Sequence, residues 1–194
     1  YLFTKEGSKK YPDDQFGPDI CNKFLCDFIR VHRDEPMCIY YPMILTHSPI
    51  PPTPFEKAGD FSEKGKPQTG TSKKTSKNHA KSNDTKAKHE FARYMDHLVG
   101  NVIRTLDETE LRRRTIVIWT TDNGPSKGKT LQSGICEPMI VSCPGSVPEG
   151  AETDALADVT DIFPTFAELA GIELPEGFTY DGKSFAEVIL GKAA

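Results

Sequence analysis

Three short stretches carry the side chains best suited to chemistry. The apolar run Thr115 to Thr121 ends abruptly in Asp122, Asn123 and Gly124. A carboxylate beside an amide carbonyl is a pair of hard-oxygen donors of the kind that Ca²⁺ and Mg²⁺ take. The same tripeptide also reads as a turn, because Asn-Gly favours positive φ, and on these residues alone both readings stand. Upstream, Thr46-His47-Ser48-Pro49 closes another apolar stretch with an imidazole, the side chain whose charge changes most readily near neutral pH. A loop histidine held by a backbone carbonyl is the plainer alternative. Beyond Gly124, Lys127 and Lys129 offer ammonium groups in a polar loop, where lysines are usually solvated, and spacing does not choose between them.

These groups need elements to position them. The stretch from Thr115 to Thr121 is β-branched and aromatic without alternation, which predicts a strand covered on both faces, as in parallel sheets flanked by helices. In such sheets ligands bind beyond the carboxyl ends of the strands, where Asp122 and Asn123 fall. Pro36 to Leu45 is compact and apolar and predicts a second strand, which delivers His47 to the same kind of position. From Pro18 to His32 the residues Ile20, Phe24, Leu25, Phe28 and Val31 recur at helical spacing and predict one apolar face. His89 to Thr109 predicts a long amphipathic helix with Phe91, Tyr94, Met95, Leu98, Val102, Ile103 and Leu106 on one side and Asp96 in a structural place. Pro138 to Ser142 predicts a further strand. Asp158 to Gly171 reads as a capped helix that starts close to Asp161, since Pro164 is tolerated only in a first turn, with Phe163, Phe166 and Leu169 inward and Gly171 as its stop. Asp181 to Phe185 leads into a short closing helix. The order of elements predicts an α/β fold.

Taken together and in this order, Thr46-His47-Ser48-Pro49, the strand ending in Asp122-Asn123-Gly124, and the loop from Ser126 through Lys127-Gly128 to Gly134-Ile135-Cys136-Glu137-Pro138-Met139-Ile140-Val141 resemble the sulfatase family of the alkaline-phosphatase-like superfamily. Tyr94 to Gly100 resembles a helix that recurs in the same family. The resemblance extends from about Phe16 to Lys192 and implies a mostly parallel sheet flanked by helices. It also implies roles. Asp122 and Asn123 match half of the family's divalent-metal site, usually calcium. Lys127, chosen over Lys129 by alignment back from Gly134-Ile135, matches the lysine that contacts the sulfate. His47 matches the histidine near the ester oxygen and leaving group. A cation, an ammonium and an imidazole aimed at a sulfate ester would favour the charge that develops during its hydrolysis. Ser126 stands where the family often has glycine, and the stretch between Gly124 and Lys127 is shorter than in many relatives.

Two parts of the family pattern are missing. Sulfatases act through a formylglycine made from the Cys or Ser of Cys/Ser-x-Pro/Ala-x-Arg, and none of Cys21, Cys26, Cys38, Cys136 and Cys143 begins that motif. Cys26 has Arg30 four places on but Phe28 where proline or alanine is required, and it falls in a predicted helix as a core thiol. The Asp-Asp pair that supplies the other metal ligands is also absent. The expectation is therefore a partial α/β sulfatase domain over 1–194, resembling the carboxyl-terminal portion and beginning in mid-protein at Tyr1. In complete form such a protein would hydrolyse sulfate esters; the isolated chain is expected to have little or no turnover. Two alternatives are a non-catalytic remnant that binds sulfated glycans and a phosphatase or phosphodiesterase of the same superfamily.

Composition narrows the rest. Residues 56–88 are dominated by Lys, Ser, Thr, Gly and Asn, cannot bury enough apolar surface to offset ordering, and are expected to be a mobile loop. The formal net charge is −4, which argues against a general nucleic-acid partner, and no apolar run is long enough to span a membrane. Five cysteines without repeated spacing indicate neither a disulfide framework nor a zinc cluster. The implied partner is a sulfated small molecule or glycan, and family habit points to a periplasmic or secreted setting.

Overall fold

Pro18 stands in the first turn of helix α1 (Gly17–Val31), where its missing N–H costs nothing and its fixed φ suits the helix. The computed structural model of the chain describes residues 2–4, 6–12, 15–47, 53–55, 85–124, 128 and 132–192. Its contacts divide the chain into two compact units, Tyr1–Thr109 and Glu110–Ala194.

The first unit opens with a small antiparallel ladder of β1 (Leu2–Thr4) and β2 (Gly7–Lys9) and is built on α1 and α2 (Thr85–Glu108). Helix α2 already begins inside the stretch expected to be loop; the rest of that stretch, 56–84, lies outside the described residues. Phe16, Leu45, Phe91, Tyr94 and Leu98 form the core, with Met43, Phe55 and Met95 packed against it. The Tyr94 ring meets Phe16 edge-on at 5.3 Å and Phe55 at 4.7 Å, contacts worth roughly 0.5–1.5 kcal/mol each beyond their burial. Its hydroxyl donates to Asp19 at 2.6 Å, and burial, then that carboxylate, raise the phenol well above its usual range.

Helix α1 corrects one expectation. It buries Pro18, Asn22, Leu25, Cys26 and Ile29, whereas Phe24 and Val31 are 72% and 75% exposed. Apolar residues occupy more than half of its circumference, so periodicity alone left its rotation open. Polar ties select the buried side: the Asn22 amide donates to the Leu98 carbonyl at 2.9 Å and accepts from Asn101 at 3.1 Å. Arg30 donates to Thr105 and Glu108. Cys26 is a buried free thiol, as expected. The predicted strand at Pro36 to Leu45 does not form; the segment has no regular secondary structure and enters no ladder among the described residues.

In the second unit a turn of 3-10 helix at Arg112–Arg114 leads into β3 (Val117–Thr120). Helix α3 (Gln132–Ile135) and strand β4 (Met139–Ser142) follow. β3 and β4 pair from Val117 opposite Ser142 to Thr120 opposite Met139. The ladder is antiparallel, as is β1 with β2, so the expected parallel pairing is not what these strands make. Among its described residues the connection holds only a four-residue helix, whereas a parallel pair needs a full crossover. All four residues of β3 are half-buried rather than enclosed on both faces. Arg112 secures the end of β4, donating to the Ser142 carbonyl and hydroxyl.

The closing segment matches its reading closely. Asp158 caps a short 3-10 turn in a capping box with Asp161, and α4 (Ile162–Leu169) carries Pro164 in its first turn. Gly171, at φ +66°, stops the helix, with Ile172 N–H returning to the Ala167 carbonyl at 2.8 Å. The inward residues differ from expectation: Pro164 and Thr165 are buried while Phe163 is 56% exposed and stacks on Tyr180. Thr165 accepts from the Phe185 N–H at 3.0 Å, joining α4 to α5 (Ala186–Ile189). At Gly182 a Cβ would lie 2.1 Å from the Thr160 carbonyl oxygen, so only glycine fits that crossing.

Candidate functional site

In the second unit the chain leaves β3 through Thr121, Asp122, Asn123 and Gly124. Asp122 is exposed and Asn123 half-buried, while Gly124 is buried. Neither Asn123 nor Gly124 is among the residues with positive φ, so the tripeptide is not the left-handed turn that Asn-Gly allows. The Asn123 amide makes only a marginal contact with the Gly124 carbonyl, at 3.5 Å. Its carbonyl oxygen and the Asp122 carboxylate are two oxygen donors just past the carboxyl end of β3.

That pair fits part of a calcium shell. Calcium takes six to eight oxygens, and among the described residues no group of three or more His, Cys, Asp or Glu is arranged to hold a metal ion. Asp122 and Asn123 can supply two oxygens of a shell, not a whole one. Lys127 lies outside the described residues.

His47 belongs to the first unit. Leu45, 6% exposed in the aromatic core, fixes the chain two residues earlier, and a turn closes when the His47 N–H donates to the Ile44 carbonyl at 2.9 Å. The imidazole is exposed and has no partner among the described residues. Irregular backbone ending in this turn, rather than a laddered strand, delivers it.

Sequence reasoning missed two contributors. The Thr121 hydroxyl donates to the Glu137 carboxylate, and the Gly124 N–H donates to the Gly134 carbonyl at 3.4 Å. A carboxylate placed just before Pro138 was visible, but nothing in the spacing links it to Thr121. The cysteines are all free, with Cys26 and Cys143 buried and Cys38 and Cys136 exposed. No helix among the described residues is long and apolar enough to cross a membrane.

The chain is similar to several known proteins. Rattus norvegicus steryl-sulfatase is 33% identical over 118 residues, covering 50% of this chain and 20% of the relative. Homo sapiens arylsulfatase A is 34% identical over 113 residues, covering 50% and 22%. Canis lupus familiaris N-acetylgalactosamine-6-sulfatase is 26% identical over 184 residues, covering 85% and 31%. The chain thus spans between a fifth and a third of the length of these relatives. The crystal structure of Ps i-CgsB superposes with a TM-score of 0.74 at 21% identity, over 95% of this chain and 41% of that one. Its complex with k-i-k-neocarrahexaose gives 0.72 at 20%, over 94% and 40%. These likenesses give the fold, part of an alkaline-phosphatase-like α/β domain. The family model for sulfatases matches residues 4–172, and with so much of its length accounted for, the chain belongs to the sulfatase family.

Proposed function

We propose that this chain is part of a sulfuric-ester hydrolase and contributes half of a divalent-metal site together with groups that bind the ester and release its alcohol. The observation that carries this reading is the exposed Asp122 carboxylate beside the Asn123 amide, just past the end of β3 and without the positive φ that a left-handed turn at this tripeptide would need. Calcium held there would supply positive charge to the sulfuryl oxygens. The remaining ligands and the formylglycine nucleophile would come from polypeptide outside residues 1–194.

Within this reading the chain's own residues have separate tasks. Hydrolysis breaks the sulfur–oxygen bond of the ester and yields an alcohol and sulfate, so the departing oxygen needs a proton. His47, exposed and without a partner among the described residues, gives that proton from its imidazolium. The Lys127 ammonium binds the sulfate and offsets its charge. Residues 1–194 alone lack the nucleophile and have little or no turnover. The substrate class is a sulfate ester of a small molecule or glycan.

His47→Ala in the full-length protein tests the assignment. Turnover of an alkyl sulfate should fall by about 10²–10⁴-fold, the range for losing a positioned general acid. An aryl sulfate, whose phenolate leaves without help, should lose less. Equal turnover of the parent and the variant on the alkyl ester would remove His47 from the mechanism.

A further inference from the structure

The loop between Thr121 and Gly124 is tied at both ends to one short stretch of chain. At its start the Thr121 hydroxyl donates to Oε2 of Glu137; at its end the Gly124 N–H donates to the Gly134 carbonyl. Asp122 and Asn123 are the two residues between these ties. The other oxygen of the Glu137 carboxylate, Oε1, is buried and has no hydrogen-bond partner among the described residues. A buried carboxylate oxygen is costly unless it is paired or a cation is near. Among the described residues, the tie to Thr121 is the one hydrogen bond that holds this carboxylate.

We infer that Glu137 is a positioning residue which, through the Thr121 hydroxyl, fixes the chain directly before Asp122 and so sets how tightly the Asp122 and Asn123 oxygens take a divalent cation. The inference rests on the reading of that pair as metal ligands. Its physical basis is lever length: Asp122 Cα is one peptide, about 3.8 Å, beyond Thr121 Cα. Freedom at the Thr121 side chain therefore passes directly to the ligand. Groups that orient metal ligands from outside the shell typically change metal affinity by about 10–100-fold when removed.

The test is calorimetric titration of the full-length protein with Ca²⁺ alone, with metal-free melting followed in parallel. Thr121→Val and Glu137→Leu should each weaken Ca²⁺ binding by about 10–100-fold. The double variant should bind no more weakly than either single one, because one hydrogen bond is being removed twice. Thr121→Ser keeps the donor and Glu137→Gln keeps an acceptor, so both should stay close to the parent. A Glu137→Gln loss as large as that of Glu137→Leu would mean that charge, not orientation, matters, and would overturn the inference. So would lower metal-free melting with unchanged Ca²⁺ affinity, or additive losses in the double variant. Asp122→Ala separates the two levels. If it binds Ca²⁺ like the parent, the metal reading fails and takes this one with it; if it loses Ca²⁺ while Thr121→Val and Glu137→Leu do not, only the positioning role fails.

Discussion

The turn that presents His47 and the loop that presents Asp122 and Asn123 are held by different forces. Leu45 anchors the first by burial among Phe16, Phe91, Tyr94 and Leu98. The second leans on directed polar contacts, Thr121 to Glu137 and Gly124 to Gly134, beside strands that remain half-buried. Apolar burial is strong but non-directional; hydrogen bonds contribute less net stability and specify orientation. A proton donor tolerates some play, whereas a metal ligand does not. The anchoring of each region suits the task proposed for it.

The contrast can be broken most forcefully at Leu45. Leu45→Ala should cost about 2–5 kcal/mol through lost burial and a residual cavity, read as a lower urea midpoint for the first unit. A shift near zero would mean that the core does not hold the turn. A smaller effect is expected from Tyr94→Phe, which keeps the aromatic contacts and removes the hydrogen bond to Asp19. About 1 kcal/mol should be lost, and a loss as large as that of Leu45→Ala would show that polar ties dominate the first unit as well.

Acid sharpens the comparison from the other side. The Thr160 backbone N–H, followed by its hydroxyl, lowers the Asp158 carboxyl below its usual 3.8. A depressed folded value means that its stabilisation is fully present above the unfolded value and is lost as pH falls through the folded one. The capped α4 segment should therefore fray in acid below pH 3.8, with amide exchange near Thr160 rising, and Asp158→Asn should flatten that dependence. The smallest stability effect belongs to Asp122→Ala. An exposed side chain with no partner among the described residues should change the metal-free midpoint by no more than about 0.5 kcal/mol, even as Ca²⁺ binding falls. A large metal-free loss would make Asp122 a structural residue and erase the contrast.

Much of this was legible in the residues. The long helix showed through its apolar periodicity, the α4 segment through Asp158, Pro164 and Gly171, and the Asp122-Asn123 pair through the sudden end of an apolar run. These signals are local: each depends on neighbours within a turn of helix or a few residues of strand. The rotation of α1 was not legible, because its apolar residues surround much of the helix and the choice fell to Asn22, whose partners Leu98 and Asn101 lie far along the chain. Nor was Phe163 in the open, since Thr165 took the buried place by serving two backbone partners.

The sequence by itself determined the family and the helices, because motif order, periodicity and caps are properties of neighbouring residues. Only the tertiary structure decided that β3 and β4 run antiparallel, that His47 follows a turn anchored by Leu45, and that Glu137 reaches Thr121. Each of those depends on contacts between residues distant in sequence, and such contacts are chosen by which arrangement buries apolar surface while pairing the polar groups it covers.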